Sequence, residues 1–173
     1  MEKYIPDMYQ KNIYDVSYEK LMARGVKCLL FDLDNTLAPF SAKSVDDKVK
    51  TLFNNLREMG FKVVIFSNSP KSRVNAFAEL LAVDFVANAK KPLKMGFNAI
   101  LNKYKYNITE VAIIGDQMLT DICGGNKIGI TTILVNPIST TDPIWTKFNR
   151  HFEHRVMNKL TAHDLFFKGR YYD

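Results

Sequence analysis

The segment that decides the fold reads FDLDNTL and covers residues 31–37. An apolar run from Val26 to Leu30 leads into it. A run rich in Val, Leu and Phe that ends on two carboxylates predicts a buried strand that delivers acids to a sheet edge. Because side chains alternate along a strand, Asp32 and Asp34 should point the same way, one pleat apart.

Two carboxylates at that distance repel each other unless a cation lies between them or one of them takes a proton. Oxygen ligands favour a hard cation such as Mg²⁺. A single acid pair of this kind would equally fit a strand that runs into an ordinary turn. The rest of the chain therefore has to decide between the two interpretations.

The composition is that of an ordinary globular protein. The 173 residues are 47% hydrophobic and 24% charged, which is enough chain for a sizeable core. The sequence lacks both an apolar stretch of roughly 18 residues and a signal-peptide pattern. Cys28 and Cys123 lie far apart and without metal-site spacing, so a reducing, cytoplasmic location is expected. The net charge of +6 favours an anionic partner: a phosphorylated substrate, nucleic acid or an anionic membrane surface.

Strand and helix patterns alternate along the chain. Apolar runs predict strands at residues 26–32, 62–66, 84–87, 111–115 and 131–135. Helical spacing predicts helices at residues 17–24, 44–60, 69–81, 97–104 and 119–123. This alternation predicts an α/β fold with a mostly parallel sheet and helices on both faces, formed as a single domain of residues 1–173.

Several helix ends carry specific signals. Ser44 and Ser69 are predicted to cap the N-termini of the second and third helices, with Pro70 in the first helical position. The Gly124-Gly125 pair is predicted to end the fifth helix, since it lacks the spacing of a phosphate-binding loop. Residues 1–25 contain the first predicted helix but no motif that indicates a chemical role.

Polar side chains follow four of the predicted strands. In chain order they are Asp32 with Asp34, Ser67, Lys90 with Lys91, and Asp116. In an open α/β sheet, ligands bind beyond the carboxyl ends of the strands. We therefore expect these side chains to meet on one rim.

These residue types suit phosphoryl transfer. Asp32, nearest the strand end, is the candidate nucleophile that forms an aspartyl-phosphate. Asp34 could protonate the leaving group and then activate water. Asp116 would complete a Mg²⁺ site with Asp32. Ser67 can hydrogen-bond a phosphoryl oxygen, and a lysine adds a compact positive charge.

Four motifs, in the right order, resemble those of the haloacid dehalogenase (HAD) superfamily. They are DxDxT at residues 32–36, a serine that ends a strand at Ser67, a lysine best placed at Lys91 with Lys90 as competitor, and GDxxxxD at residues 115–121. The resemblance implies a Rossmann-like HAD fold, Mg²⁺ dependence and a phosphorylated Asp32.

The resemblance also implies a role for each motif residue. The metal ligands would be Asp32, Asp116 and the backbone carbonyl of Asp34. The substrate phosphate would be bound by Ser67, Asn68 and Lys91. Two further residues, Thr36 and Asp121, would help to orient these groups without binding the metal or the phosphate themselves.

The spacing of the motifs leaves no room for a cap domain. Residues 37–66, 30 in number, separate the first motif from Ser67, and residues 68–90, 23 in number, separate Ser67 from Lys91. One helix and its connections fill each gap, so a capless (C0) site is expected. An open site of this kind suits a substrate whose phosphate is presented by something large.

Longer patterns narrow the resemblance. FDLDNTLAPF, AKKPL, GDQMLTDICGGN and TKFNR resemble the YqeG-type group of HAD subclass IIIA, which is similar to the phosphatidylglycerophosphate phosphatases. This implies hydrolysis of phosphatidylglycerophosphate to phosphatidylglycerol. A phosphatase for a soluble, protein or nucleic-acid phosphate is the alternative. A non-catalytic module that binds RNA, a ribosome or a membrane is a further one, against which the intact motif set argues.

The segment from Ile144 to Arg170 is basic and amphipathic. Apolar residues recur every four positions, with two more beside them: Ile144, Phe148, Phe152, Val156 and Leu160, then Trp145 and Met157. The other faces carry Lys147, Arg150, Arg155 and Lys159. Such a helix either lies in an anionic membrane interface, which would place the protein peripherally on the inner face of the membrane, or packs on the domain. His151, His154 and His163 are expected to be surface residues.

Overall fold

The computed structural model describes residues 1–139 and 144–173, apart from the side chains of residues 144–150. Its six strands are β1 (Met8–Gln10), β2 (Cys28–Phe31), β3 (Lys62–Phe66), β4 (Asp84–Val86), β5 (Val111–Gly115) and β6 (Thr131–Val135). They form one sheet of order β1-β6-β5-β2-β3-β4, and its five strand pairings are parallel. This is the predicted Rossmann-like α/β sheet, with β2 near its centre.

The helices that join consecutive strands return the chain from the carboxyl edge of the sheet to its amino edge, and one more helix follows the last strand. They are α1 (Tyr18–Ala23), α2 (Asp47–Glu58), α3 (Lys71–Leu81), α4 (Lys94–Tyr104), α5 (Cys123–Ile128) and α6 (Ile144–Ala162). A π-helical turn, Met118–Ile122, precedes α5, and short 3₁₀ turns lie at Glu2–Tyr4 and Ile108–Glu110.

Helices cover both faces of the sheet, because successive side chains of a strand point to opposite faces. Leu29 and Phe31 of β2 lie in a buried cluster with residues of α1, α2 and α3. Cys28 and Leu30 of the same strand lie in a second cluster with residues of α4. The continuous apolar runs that predicted the strands are thus explained by burial on both sides.

The connections between the strands are short. Among the described residues, those between Thr36 and Ser67 form α2 and β3, and those between Ser67 and Lys91 form α3 and β4. Neither connection contains a further folded unit. The expected capless fold is therefore confirmed.

The sequence patterns missed the edge strand β1. Met8 pairs with Ile133 and Gln10 with Val135, so a strand lies where the sequence patterns predicted none. Three residues are too few for a strand pattern to be recognised. The partner strand lies more than 120 residues away, and only this distant pairing makes the segment a strand.

Two predicted helix caps are wrong. Asp46, not Ser44, caps α2, because its carboxylate accepts a hydrogen bond from the backbone N–H of Lys48 at 2.9 Å. The third helix begins at Lys71, with Pro70 in the capping position. Ser69 does not cap it, since its hydroxyl is donated to Asp34 instead.

The prediction that the Gly124-Gly125 pair ends a helix is wrong, because both residues lie inside α5. A β-carbon on Gly124 would lie 2.7 Å from Phe97, and one on Gly125 would lie 2.5 Å from the Thr132 methyl group. Both glycines therefore let α5 pack closely on its neighbours. The helix ends at Gly129, which has a φ of 89°.

The last helix, α6, packs its C-terminal half on the domain. Leu160 is fully buried with Leu134, and Val156 and Met157 lie partly buried against the same cluster. Phe152 is exposed, as are His151, His154 and His163. The expectations for Ile144, Trp145, Lys147, Phe148 and Arg150 lie outside the described residues. None of the described helices has the length and apolar character needed to cross a bilayer.

Candidate active site

The rim at the carboxyl edge of the sheet carries the motif residues. Asp32 follows β2, Ser67 follows β3, Asp116 follows β5, and Lys91 lies in the loop between β4 and α4. All four side chains are buried. The parallel register brings the strand ends together, as the sequence predicted.

Lys91 lies at the centre of this group. Its ammonium contacts Asp32 Oδ1 and Asp121 Oδ1, each at 2.6 Å, and donates to the backbone carbonyl of Phe66 at 2.9 Å. Lys90, the competing candidate, is exposed. The structure therefore places Lys91, and not Lys90, among the acids.

Asp116 and Asp121 form the other half of the cluster. Carboxylate oxygens of Asp32, Asp116 and Asp121 lie within 4.8 Å of one another. The Thr36 hydroxyl donates to Asp116 Oδ1 at 3.1 Å, and the Gln117 N–H donates to Asp121 Oδ2 at 3.1 Å. These contacts orient the two carboxylates.

Gly115 makes this arrangement possible. A β-carbon at this position would lie 2.2 Å from the carboxylate of Asp121. The glycine of the fourth motif is therefore needed for space beside that carboxylate.

Burial and neighbouring charges control protonation in the cluster. Burial raises the pKa of Asp32 well above its usual range, the Lys91 ammonium opposes this rise, and the carboxylates of Asp121 and Asp116 add to it. Burial would lower the pKa of Lys91, but Asp121 and Asp32 outweigh it and raise that pKa. Lys91 therefore stays protonated, and further positive charge near Asp32 would lower the pKa of its carboxyl group.

A divalent cation fits this need. Among the described residues, three buried carboxylates converge on one region, and the Lys91 ammonium, which contacts two of them, carries only one positive charge. Oxygen donors are the ligands of hard divalent cations. Asp32 and Asp116 could hold such an ion, while both oxygens of Asp121 already accept hydrogen bonds, from Lys91 and Gln117.

Asp34 lies in a different environment from Asp32. It is half-buried, and its Oδ1 accepts from Arg73 Nε at 2.8 Å and contacts Arg73 Nη2 at 2.7 Å. Its other oxygen accepts from the Ser69 hydroxyl. The Arg73 guanidinium lies between the rings of Phe40 and Phe77, at 5.2 and 5.0 Å from their centroids.

Sequence reasoning missed Arg73 and the contact from Ser69 to Asp34. One signal was present: Arg73 lies in the first turn of α3, where the helix dipole disfavours a cation. A basic residue at such a position indicates a nearby anion, and here that anion is Asp34.

Asn68 and Ser67 support the loops of the rim. The Asn68 side chain accepts from the Lys91 N–H at 2.7 Å and donates to the Lys91 carbonyl at 3.0 Å. Ser67 Oγ accepts from the Ser69 N–H at 3.1 Å. Asn68 therefore anchors the backbone of Lys91. Its expected contact with phosphate, like that of Ser67, stays a prediction.

A cleft of about 250 Å³ opens beside Asp116, between the end of β6 and α6. Apolar side chains form most of its described wall, among them Met118, Leu134, Met157 and Phe166. Ionisable side chains of both kinds also line it: Asp116, Glu153, His154 and Lys168. The cleft extends the rim toward the C-terminal part of the chain.

Comparisons with known proteins agree with this geometry. A family model described as HAD-hydrolase-like matches residues 88–162. The probable phosphatase YqeG of Bacillus subtilis is 38% identical over 157 residues, which is 91% of each chain. The chloroplastic phosphatidylglycerophosphate phosphatase 1 of Chlamydomonas reinhardtii is 29% identical over 168 residues, covering 91% of this chain and 62% of that longer protein.

Solved structures share the fold. A protein from Legionella pneumophila, described as a HAD superfamily (subfamily III A) hydrolase, superposes with a TM-score of 0.51 at 19% identity, over 70% of this chain and 75% of that one. An uncharacterized protein from Listeria monocytogenes gives 0.54 at 20% identity, over 69% and 86%. With the four motifs on one rim and a relative that matches over nearly its whole length, this chain belongs to the HAD family of phosphatases, in the YqeG group.

Proposed function

We propose that this protein is a Mg²⁺-dependent phosphomonoesterase that hydrolyses phosphatidylglycerophosphate to phosphatidylglycerol through a phosphorylated Asp32. The observation that carries the proposal is the buried ammonium of Lys91, held 2.6 Å from Asp32 beside two further acids on an open rim. A purely structural ion pair would not need three buried carboxylates in the same place.

In the first step an oxygen of Asp32 attacks the phosphorus atom, and the bond to the leaving alcohol breaks. Lys91 holds Asp32 Oδ1, which leaves Oδ2 to attack. Asp34 donates the proton that the leaving oxygen requires. Asp32, Asp116 and the Asp34 carbonyl would hold Mg²⁺, which would supply positive charge beside the phosphoryl oxygens.

The second step reverses the role of Asp34. Its carboxylate takes a proton from water, and the resulting hydroxide attacks the phosphorus of the aspartyl-phosphate. Inorganic phosphate leaves, and the carboxylate of Asp32 is regenerated. The Ser67 hydroxyl donates to a phosphoryl oxygen in both steps, and the Lys91 ammonium, whose three N–H groups go to Asp32, Asp121 and the Phe66 carbonyl, supplies positive charge beside the phosphoryl group.

Three features support a lipid substrate at a membrane surface. The relative from Chlamydomonas reinhardtii is a phosphatidylglycerophosphate phosphatase, the site lacks a cap among the described residues, and the chain carries a net charge of +6. The cleft of about 250 Å³ lies below the range of about 300–1,000 Å³ typical for whole drug-sized ligands, so it suits part of a head group rather than acyl chains. The protein would then act as one domain, peripherally, on the cytoplasmic face of an anionic membrane.

The decisive experiment is phosphate release from phosphatidylglycerophosphate in mixed micelles, with and without Mg²⁺, beside a panel of soluble phosphomonoesters. We expect Mg²⁺-dependent release from the lipid and none from Asp32→Asn, whose circular dichroism should match the wild type. Release from soluble esters alone would keep the site and refute the lipid substrate. Full activity in Asp32→Asn would refute the mechanism.

A further inference from the structure

Two exposed apolar side chains, Leu93 and Met95, follow the buried Lys91 by two and four residues in the chain. Leu93 and Met95 are 57% and 60% exposed, the highest values among the large hydrophobic side chains that the structure describes. Leu93 belongs to a turn closed by its own N–H, which donates to the Lys90 carbonyl at 2.8 Å. The buried Lys91 lies within this turn, so Leu93 belongs to the loop that carries it, and Met95 lies in the first turn of the helix that follows, α4.

A third exposed apolar side chain lies on the opposite side of the site. Ile138 is 52% exposed and follows β6 at the same edge of the sheet. Its N–H donates to the carbonyl of Asn35, in the loop of the first motif, at 2.9 Å. In the sheet order, β4 and β6 lie on opposite sides of β2, which carries Asp32.

Cations accompany these side chains. Lys90 and Lys94 are both exposed and flank Leu93 in sequence. Lys94 is the first residue of α4, whose first turn holds no acid, and the helix dipole disfavours a cation at this end. Helix stability therefore gives no reason for a lysine there, whereas an external anion does.

We propose that Leu93, Met95, Ile138, Lys90 and Lys94 form a rim patch that docks the open active site onto an anionic phospholipid bilayer. The apolar side chains enter the interface, and the two ammonium groups contact lipid phosphates. This orientation presents Asp32 to a phosphate at the height of the head groups. The proposal rests on the proposed lipid substrate but names a surface that the substrate alone does not define.

The rim patch differs from the amphipathic helix as a membrane contact. In α6 the described apolar residues Val156, Met157 and Leu160 pack on the domain. Its basic residues Arg155 and Lys159 are exposed, but among the described side chains of α6 only Phe152 is an exposed large hydrophobic group. The rim patch combines both kinds of group around the site itself.

The test is co-sedimentation with vesicles of phosphatidylcholine, with and without phosphatidylglycerol, and with no substrate present. The variant Leu93→Ser/Met95→Gln removes two apolar contacts without burdening the fold, because Leu93 occupies the N-cap position of α4, where serine is favourable. We expect its partitioning onto anionic vesicles to fall about tenfold. Its turnover of p-nitrophenyl phosphate should stay within about twofold of the wild type.

The matched control places the same kind of change at the other edge of the sheet. Leu80, near the end of α3, and Ile108, just before β5, are 47% and 44% exposed. Leu80→Gln/Ile108→Ser should partition like the wild type. Lys90→Ala/Lys94→Ala should lose about fivefold per lysine on anionic vesicles, whereas Arg155→Ala/Lys159→Ala on α6 should lose less.

The possible results test the docking surface and the proposed substrate independently. If the rim variant partitions like the wild type, or if the control loses as much as the rim variant, the docking surface is wrong. Phosphate release from phosphatidylglycerophosphate can still succeed in that case. If the wild type binds anionic vesicles through the rim but releases no lipid phosphate, the docking stands and the proposed substrate is wrong.

Discussion

At the scale of single residues, the site depends on one buried cation. Lys91 contacts Asp32 and Asp121 at 2.6 Å each, and all three side chains are almost completely buried. Removing one partner of a buried ion pair leaves an uncompensated charge without water. The lysine to which we assign a role in the proposed reaction therefore also contributes to the stability of this part of the fold.

The first prediction compares two neighbouring lysines. Lys91→Ala should lower the free energy of unfolding by about 3–5 kcal/mol, because the acids lose their buried counter-charge. Lys90→Ala, at an exposed position, should change it by less than about 0.5 kcal/mol. Urea denaturation followed by circular dichroism measures both. The loss in Lys91→Ala should shrink as the pH falls, since a protonated carboxylate no longer repels its neighbours; equal losses in the two variants would contradict the assignment.

The second prediction concerns Arg73 as a positioning residue. Arg73→Ala frees the side chain of Asp34, so proton donation to the leaving group becomes less effective and kcat should fall about tenfold with little change in KM. The loss should be larger for an alkyl phosphate than for p-nitrophenyl phosphate, whose leaving group needs no proton. Arg73→Lys should not restore activity, because lysine cannot reproduce the contacts from Nε and Nη2.

A second arginine supplies the control for this experiment. Arg57 donates to the carbonyls of Leu81 and Ala82 at the end of α3 and so has a structural role. Arg57→Ala should lower stability but affect both substrates equally. Equal losses on both substrates in Arg73→Ala would mean that Arg73 only supports the fold.

At the scale of secondary structure, local patterns predicted some elements well and others poorly. The buried strands β2, β3, β5 and β6 were predictable, because a parallel strand covered on both faces leaves a continuous apolar run. Edge strand β1 was not, since three residues carry no period and their partner strand is distant in sequence. The candidate site was predictable where a strand end determined it, as for Asp32 and Asp116.

Where a residue's role depends on a neighbour from another element, the sequence could not reveal it. Lys90 and Lys91 are adjacent in the chain, and only the packing of the loop buries one of them among the acids. Arg73 contacts Asp34 from α3, which no local motif records. The pair Gly124-Gly125 was misread for the same reason, because its cause lies in α4 and β6.

The third prediction tests this close packing of α5. Gly125→Ala would improve helix propensity by up to about 1 kcal/mol if the position were open. Its β-carbon would instead lie 2.5 Å from the Thr132 methyl group and 2.9 Å from Ile113. We therefore expect a net loss of about 1–3 kcal/mol in the free energy of unfolding. Lys127→Ala, exposed on the same helix, is the control, and a neutral or stabilised Gly125→Ala would refute the packing.

At the scale of the whole molecule, the fold concentrates negative charge at one edge of the sheet. The carboxyl ends of β2 and β5 place Asp32 and Asp116 close together, and Asp121 joins them from the π-helical turn. Lys91 offsets only part of this charge. A cation bound at this site would therefore lower the free energy of the folded protein. The unfolded chain does not bring these carboxylates together and gains no such stabilisation.

This difference makes metal binding measurable as stability, independently of any substrate. At a Mg²⁺ concentration of about one hundred times Kd, the folded state should gain about 2.7 kcal/mol, which corresponds to a rise in Tm of roughly 5–10 °C for a protein of this size. Differential scanning fluorimetry with increasing Mg²⁺ measures the rise. Asp116→Asn should abolish most of it, because one of the converging carboxylates is lost. Asp47→Asn, on the exposed side of α2, should keep it.

The same variant makes a second, opposite prediction in the absence of metal. Asp116→Asn removes one of the charges that disfavour an ionised Asp32, so its Tm without Mg²⁺ should equal or exceed that of the wild type. A wild-type Tm that rises with Mg²⁺, together with a Tm of Asp116→Asn that is already high without Mg²⁺, would locate the ion among these acids. If Mg²⁺ raised the Tm of Asp116→Asn as much as that of the wild type, the ion would bind elsewhere, and the proposed metal site would have to be abandoned.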